Sequence, residues 1–137
     1  MILAADIEFR RATHEDQRKE QMQALVSAVL TDPDKTLLIA GDVTKAGTVR
    51  GYLAAGGFVE GLIGQGATVI IVPGNHDLRT TWKRNGEADH KQRVAGICMA
   101  WLMGKTLHQS CIRYSNGMDW IAETPSANII GLPHCRR

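Results

Sequence analysis

Residues 67–77 read Ala-Thr-Val-Ile-Ile-Val-Pro-Gly-Asn-His-Asp, an apolar run that ends abruptly in glycine and polar side chains. Residues 36–42, Thr-Leu-Leu-Ile-Ala-Gly-Asp, repeat this arrangement earlier in the chain. Residues 2–6, Ile-Leu-Ala-Ala-Asp, repeat it at the start. Short, almost continuously apolar runs are typical of strands in a parallel sheet that is covered on both faces.

Helical patterns separate these three runs. Apolar side chains recur at helical spacing between residues 14 and 30, and Asp32-Pro33-Asp34 ends that pattern. A second helix is predicted for residues 49–63, although its glycines weaken it. Alternating strands and helices predict an α/β fold, a βαβαβ unit with right-handed crossovers and helices on both faces of the sheet.

The pattern changes after residue 77. A polar, basic loop is predicted for residues 78–88 and a third helix for residues 89–105, with Trp101 in the core. Three short strands are predicted for residues 110–114, 118–122 and 127–132, with a hairpin turn at residues 115–117. Nothing marks a linker, so residues 1–137 are interpreted as a single domain.

Composition excludes several classes of protein. The 137 residues are 44% hydrophobic and 22% charged, with a net charge of +2, which is not typical of a disordered or strongly cationic chain. Three cysteines without a Cys-x-x-Cys pair argue against a structural zinc site or a disulfide framework. With no signal-peptide pattern and no apolar stretch of ~20 residues, we expect a cytoplasmic protein that does not bind membranes.

Polar side chains follow all three strands. Asp6 and Glu8 follow the first, Asp42 the second, and Asn75 and His76 the third. Ligands bind beyond the carboxyl ends of parallel strands, so these groups are expected to converge on one crevice. Carboxylate and amide oxygens suit hard divalent metals. The alternative for each residue alone is ordinary cap or turn chemistry.

These segments resemble the signatures of a known family. Residues 38–44, Leu-Ile-Ala-Gly-Asp-Val-Thr, and 70–77, Ile-Ile-Val-Pro-Gly-Asn-His-Asp, are similar to the second and third signatures of the calcineurin-like metallophosphoesterase superfamily. Residues 5–9 resemble its first signature, Asp-x-His. The resemblance covers residues 1–77, and the Gly-Asp-Val-Thr form is most similar to the cyclic-nucleotide phosphodiesterase and exonuclease-like branches.

The resemblance implies a layered metallophosphoesterase fold and a hydrolase that cleaves a phosphomonoester or phosphodiester. It implies two divalent metal ions (Mn, Fe, Mg or Zn) and a bridging hydroxide as nucleophile, with nucleotides and nucleic acids among the candidate substrates. Asp6 would bind the first metal, Asp42 would bridge both, and Asn75 would bind the second. Glu8 would either replace a histidine ligand or be an exposed acid in a site that has lost metal. His76 would act as general acid or stabilise transition-state charge.

The sequence also departs from the family. Glu8 stands where the family has a metal-binding histidine, and Lys45 stands where many members have an aspartate that orients the catalytic histidine. The downstream Gly-His-x-His signature is absent from these 137 residues. We therefore expect an incomplete domain that lacks the C-terminal part, with poor activity on its own. The alternative is a catalytically degenerate or truncated binding or regulatory module, and neither substrate nor oligomeric state follows from the sequence.

Overall fold

The computed structural model describes residues 1–9, 15–78, 86–107, 109, 112–116, 119–124 and 127–131. None of the helices in these ranges combines the length and the apolar character that crossing a membrane requires. The elements, in chain order, are β1 (Ile2–Ala5), α1 (Glu15–Thr31), β2 (Thr36–Gly41), α2 (Val49–Gly64), β3 (Thr68–Pro73), α3 (Asn75–Leu78), α4 (Gly86–Leu107), β4 (Ile112–Asn116), β5 (Asp119–Glu123) and β6 (Asn128–Gly131).

The first three strands form a parallel sheet in the order β1-β2-β3, which confirms the predicted α/β class. The register pairs Ala5 with Ala40, and Gly41 with Pro73. The three strands therefore end at the same edge of the sheet, and the chain leaves all of them on that side. The remaining strands form a separate antiparallel sheet in the order β4-β5-β6.

Burial of the parallel sheet differs from strand to strand. Leu3, Leu38 and Ile70 are neighbours in the register and share one face. Ile70 is 1% exposed and Leu38 is half-buried, whereas Leu3 is 66% exposed. The opposite face of β2 and β3 is fully buried. The predicted cover on both faces thus describes β3, against which α2 and α4 pack, whereas β1 departs from it.

Helix α2 matches its predicted bounds within one residue. Thr48 caps it with extended backbone, and its side chain accepts a hydrogen bond from the Gly51 main-chain N–H at 3.2 Å. Such a cap satisfies one of the N–H groups that the first helical turn leaves without an acceptor. The glycines of this helix were expected only to weaken it, but Gly56 has a packing role.

Trp101 is 42% exposed, so its predicted place in the core is wrong. Its indole lies over Gly56, where a Cβ would come within 2.8 Å of the ring. The Lys105 ammonium sits 4.2 Å from the centroid of the ring and forms an ion pair with Glu60. Because Gly56 has no side chain, the Trp101 ring can lie on the surface of α2. It covers the contact between α2 and α4 on the solvent side.

The other boundaries shift in places where local patterns compete. Helix α4 begins at Gly86, three residues before the predicted start, and the following Glu87 and Ala88 are good helix formers. The short helix α3 was not predicted. Strands β4 to β6 lie within two residues of their predicted starts. Most of the predicted hairpin turn is strand, and its Gly117 lies outside the described residues.

The outer edge of β3 is covered by a side chain. The Gln109 amide donates to the Val69 carbonyl at 2.6 Å, and its oxygen accepts from the Val69 N–H at 2.7 Å. This pair of bonds imitates the next strand of a sheet, which an edge strand lacks. Helix α4 also packs on α2 and β3, so the third strand is held from several sides.

Candidate functional site

The three parallel strands deliver their polar side chains to one place. The Asp6 Oδ1 atom accepts a hydrogen bond from the Asp42 main-chain N–H at 3.1 Å. The Asp42 Oδ1 atom in turn accepts from the His76 main-chain N–H at 2.9 Å. Each side chain thus binds the backbone of the next strand end, and the structure brings Asp6, Asp42 and His76 together.

Two glycines allow this close approach. Gly41 has φ +94°, and a Cβ at that position would collide with Asp6 Oδ1. A Cβ at Gly74 would collide with Asp42 Oδ1 and lie 2.6 Å from the Asp42 nitrogen and 2.8 Å from the Gly41 carbonyl carbon. Any larger residue would separate the loops, so glycine at both positions is a steric requirement.

Asp77 ties the loop after β2 to the loop after β3. Its Oδ2 atom accepts from the main-chain N–H groups of Val43 at 2.9 Å and Gly74 at 3.0 Å. Its Oδ1 atom accepts from the Thr44 N–H at 2.7 Å and the Thr44 hydroxyl at 2.9 Å. The Thr44 hydroxyl oxygen accepts from the Gly47 N–H at 3.0 Å, so its proton is directed to Asp77.

The side chain of Asp77 is fully buried. Burial raises the pKa of this carboxyl, and the hydrogen bonds from Val43, Thr44 and Gly74 oppose that rise. The Tyr52 hydroxyl donates to the main-chain carbonyl of Asp77 at 2.5 Å, which anchors the same loop to α2. Asp77 is the last residue of a sequence signature and had no predicted role, because three of its four side-chain donors, in Val43 and Thr44, are distant in the chain.

The His76 imidazole is held at one nitrogen and open at the other. Nδ1 lies 2.7 Å from the Lys45 main-chain carbonyl oxygen, which can only accept, so Nδ1 carries a proton. Nε2 lies 4.0 Å from Asp42 Oδ2, and the side chain is 46% exposed. The bond to Lys45, followed by the charges of Asp42 and Glu8, raises the pKa of His76 against the opposing effect of desolvation.

The Lys45 carbonyl takes the place that a side chain has in the resembled family. There, an aspartate side chain at the position of Lys45 would orient the histidine; here, the main chain accepts the Nδ1 proton and the residue is exposed. Replacing that aspartate by lysine therefore leaves His76 with an orienting acceptor. The departure noted in the sequence does not remove the oriented imidazole.

Asp6 and Glu8 have left-handed backbone, with φ +50° at each. For residues other than glycine this conformation costs about 1–3 kcal/mol, and such strain gathers at functional sites. Hydrogen bonds hold the segment: the Glu8 N–H donates to the Asp42 carbonyl at 2.9 Å, and the Phe9 N–H to the Val43 carbonyl at 2.7 Å. The backbone of this segment is thus held along the loop after β2.

Four side chains were predicted to be metal ligands: those of Asp6, Glu8, Asp42 and Asn75. Within the described part of the chain, no group of three or more His, Cys, Asp or Glu side chains could hold a metal ion. The side chain of Asn75 lies outside the described residues. Asp6 and Asp42 carry carboxylates of the hard type that Mg²⁺ and Mn²⁺ prefer, and the Asp6 carboxylate binds the Asp42 main-chain N–H. These residues fit part of the coordination shell of one hard cation.

Comparisons with protein-family models, with curated proteins and with solved structures gave no match to this chain. The resemblance to the metallophosphoesterase superfamily therefore rests on the three sequence signatures.

Proposed function

We propose that this chain is a metallophosphoesterase-like domain whose site hydrolyses a phosphomonoester or phosphodiester. The observation that carries the proposal is the oriented His76: its Nδ1 is bound by a carbonyl, and its Nε2 faces the Asp42 carboxylate at the ends of the strands. An imidazole with one ring nitrogen held and the other exposed is suited to proton transfer. A histidine with a purely packing role would not need an exposed ring nitrogen. The layered fold of that superfamily is part of the same proposal.

Asp6, Glu8, Asp42 and Asn75 would hold divalent metal ions at this edge of the sheet. Such ions, when bound, supply positive charge to the phosphoryl oxygens and activate water. Asp42 would be the central ligand of this set, since it follows the central strand of the sheet. The hydrogen bonds from main-chain N–H groups to Asp6 and Asp42 fix the carboxylate positions before any ion arrives.

His76 would supply the proton for the leaving group. The oxygen of a water molecule forms the new bond to phosphorus, the ester P–O bond breaks, and the leaving oxygen takes the proton from His76 Nε2. The water loses its proton to solvent. His76 can return to the protonated state because Nε2 is exposed, while Nδ1 keeps its own proton on the Lys45 carbonyl. A general acid of this kind typically contributes about 10²–10⁴-fold to turnover.

A binding or regulatory module is the second candidate. The described residues contain no cluster of three acidic, histidine or cysteine ligands. A site with too few protein ligands would hold metal weakly, and a chain of this kind could bind a phosphoester without cleaving it. Turnover separates the two candidates.

The test measures Mn²⁺ binding by calorimetry and turnover of a chromogenic phosphodiester and phosphomonoester. His76→Ala is paired with His90→Ala, an exposed histidine on α4, and Asp42→Asn is paired with Asp34→Asn. We expect slow, Mn²⁺-dependent turnover that both site variants lower and both controls keep. Metal binding without any turnover would favour the binding module. Turnover that is unchanged in His76→Ala would refute the proposed mechanism.

A further inference from the structure

Asp77 has no place in the chemistry described so far, yet it is buried with both carboxylate oxygens fully engaged. Its donors come from two stretches of chain: Val43 and Thr44 follow β2, whereas Gly74 follows β3. No part of Asp77 faces solvent, so it does not touch a substrate. Its effect on the site must pass through the loops that it joins.

The loop after β2 carries both of the groups that form hydrogen bonds with His76. The residue after Thr44 is Lys45, whose carbonyl accepts the Nδ1 proton at 2.7 Å. The residue before Val43 is Asp42, whose Oδ1 accepts the His76 N–H at 2.9 Å. Asp77 is itself the residue after His76. The Asp77 carboxylate thus links the backbone next to His76 with the loop that carries the Lys45 carbonyl, which accepts the proton of the His76 ring.

We infer that Asp77 is a positioning residue: by joining the two loops it places the Lys45 carbonyl on His76 Nδ1, which fixes the ring proton there and leaves Nε2 for the leaving group. This inference rests on the proposed function for its catalytic meaning, but the tautomer itself is a property of the folded chain. Thr44 belongs to the same device, because its hydroxyl donates to Asp77 and accepts from Gly47.

The hydrogen bonds of Asp77 indicate which substitutions should displace the Lys45 carbonyl from His76. The side chain of asparagine has only one oxygen. In either orientation at position 77, its NH₂ group would face donors from which the carboxylate now accepts hydrogen bonds. At least one main-chain N–H of Val43, Thr44 or Gly74 then loses its acceptor. Thr44→Val keeps the shape of the side chain and removes the hydroxyl, while Thr44→Ser keeps the hydroxyl. Lys45→Ala keeps the main-chain carbonyl.

The experiment reads the tautomer from ring ¹⁵N chemical shifts of histidine-labelled protein, at a pH where the imidazole is neutral. His76→Ala assigns the signal. We expect the Nδ1–H form in the unaltered chain, in Thr44→Ser and in Lys45→Ala. We expect its dominance to be lost in Asp77→Asn and Thr44→Val, with circular dichroism confirming that each variant is folded. Should Asp77→Asn fail to fold, the Val and Ser variants at position 44 decide the question.

An Nε2–H form in the unaltered chain overturns the inference, as does an unchanged Nδ1–H form in folded Asp77→Asn or in Thr44→Val. Turnover adds a separate reading: a misplaced ring lowers kcat by about 10²-fold in Asp77→Asn while KM changes little. A chain that shows the expected tautomers without turnover supports the positioning by Asp77 and counts against the proposed function. The two ideas can thus fail independently.

Discussion

Gly74→Ala is expected to destabilise the protein and to open the site. A Cβ at this position would lie 2.6 Å from the Asp42 nitrogen and 2.8 Å from the Gly41 carbonyl carbon, where ordinary contact begins near 3.4 Å. The two loops would have to separate by about 0.8 Å, since these two atoms belong to the main chain; the Cβ would also collide with the Asp42 side chain. Overpacking typically costs about 1–3 kcal/mol, and strain on the 2.9 Å bond from the His76 N–H to Asp42 adds about 1 kcal/mol.

Gly57→Ala is the matched control. This glycine lies inside α2, and no atom comes within 4 Å of an added Cβ. Alanine should therefore stabilise the helix by about 0.5–1 kcal/mol, the usual difference between the two residues in a helix. In urea unfolding, the midpoint concentration for Gly74→Ala should be below that of the unaltered chain, and that for Gly57→Ala should be above it. The slope of the unfolding free energy against urea concentration should stay constant. If the two variants unfolded at equal urea concentration, the close approach of the loops would be refuted.

Three further predictions concern the metal, the sheet edge and the start of the chain. Asp42→Asn should weaken Mn²⁺ binding more than Asp6→Asn in calorimetry, because Asp42 would serve two ions; negligible effects of both would remove the metal from this site. Gln109→Ala should cost about 1–3 kcal/mol in urea unfolding, since it strips the partly buried Val69 N–H and C=O of their partner; unchanged stability would show that water replaces it. The Met1 amino group lowers the pKa of Asp32 below 3.8, and Asp32 raises that of the amino group above 8.0. The Asp32 contribution is lost as pH falls through its lowered pKa, and the Met1 contribution as pH rises through its raised pKa. Asp32→Asn should therefore reduce the melting temperature most between those values, and a difference that is independent of pH would contradict the pairing.

Much of the fold follows from patterns that are local in the chain. The apolar runs of residues 2–5, 36–40 and 67–72 predicted three parallel strands, and the observed bounds differ by one residue at most. The second helix and the end of the first were predicted equally closely. Strand and helix periods are properties of neighbouring residues, so the sequence alone carries them.

The face of α4 could not be read in the same way. Its apolar residues are spread around the helix, and the prediction placed Trp101 in the core. Trp101 instead lies across Gly56 on the surface, and Ile97 is 70% exposed. The face of α4 that is buried depends on the helix that packs against it. No residue near Trp101 in the chain indicates which helix that is.

The sequence also determined which polar groups reach the carboxyl edge of the sheet, because strand ends in a parallel sheet point the same way. Only the tertiary structure decided how they are held. Position 45 seemed to lose an orienting aspartate, yet the Lys45 carbonyl binds His76 Nδ1. Asp77 looked like the end of a motif, yet it binds Val43 and Thr44, which lie 34 and 33 residues away. Contacts of this range involve main-chain atoms, which every residue has, so no choice of side chain marks them until the strands have come together.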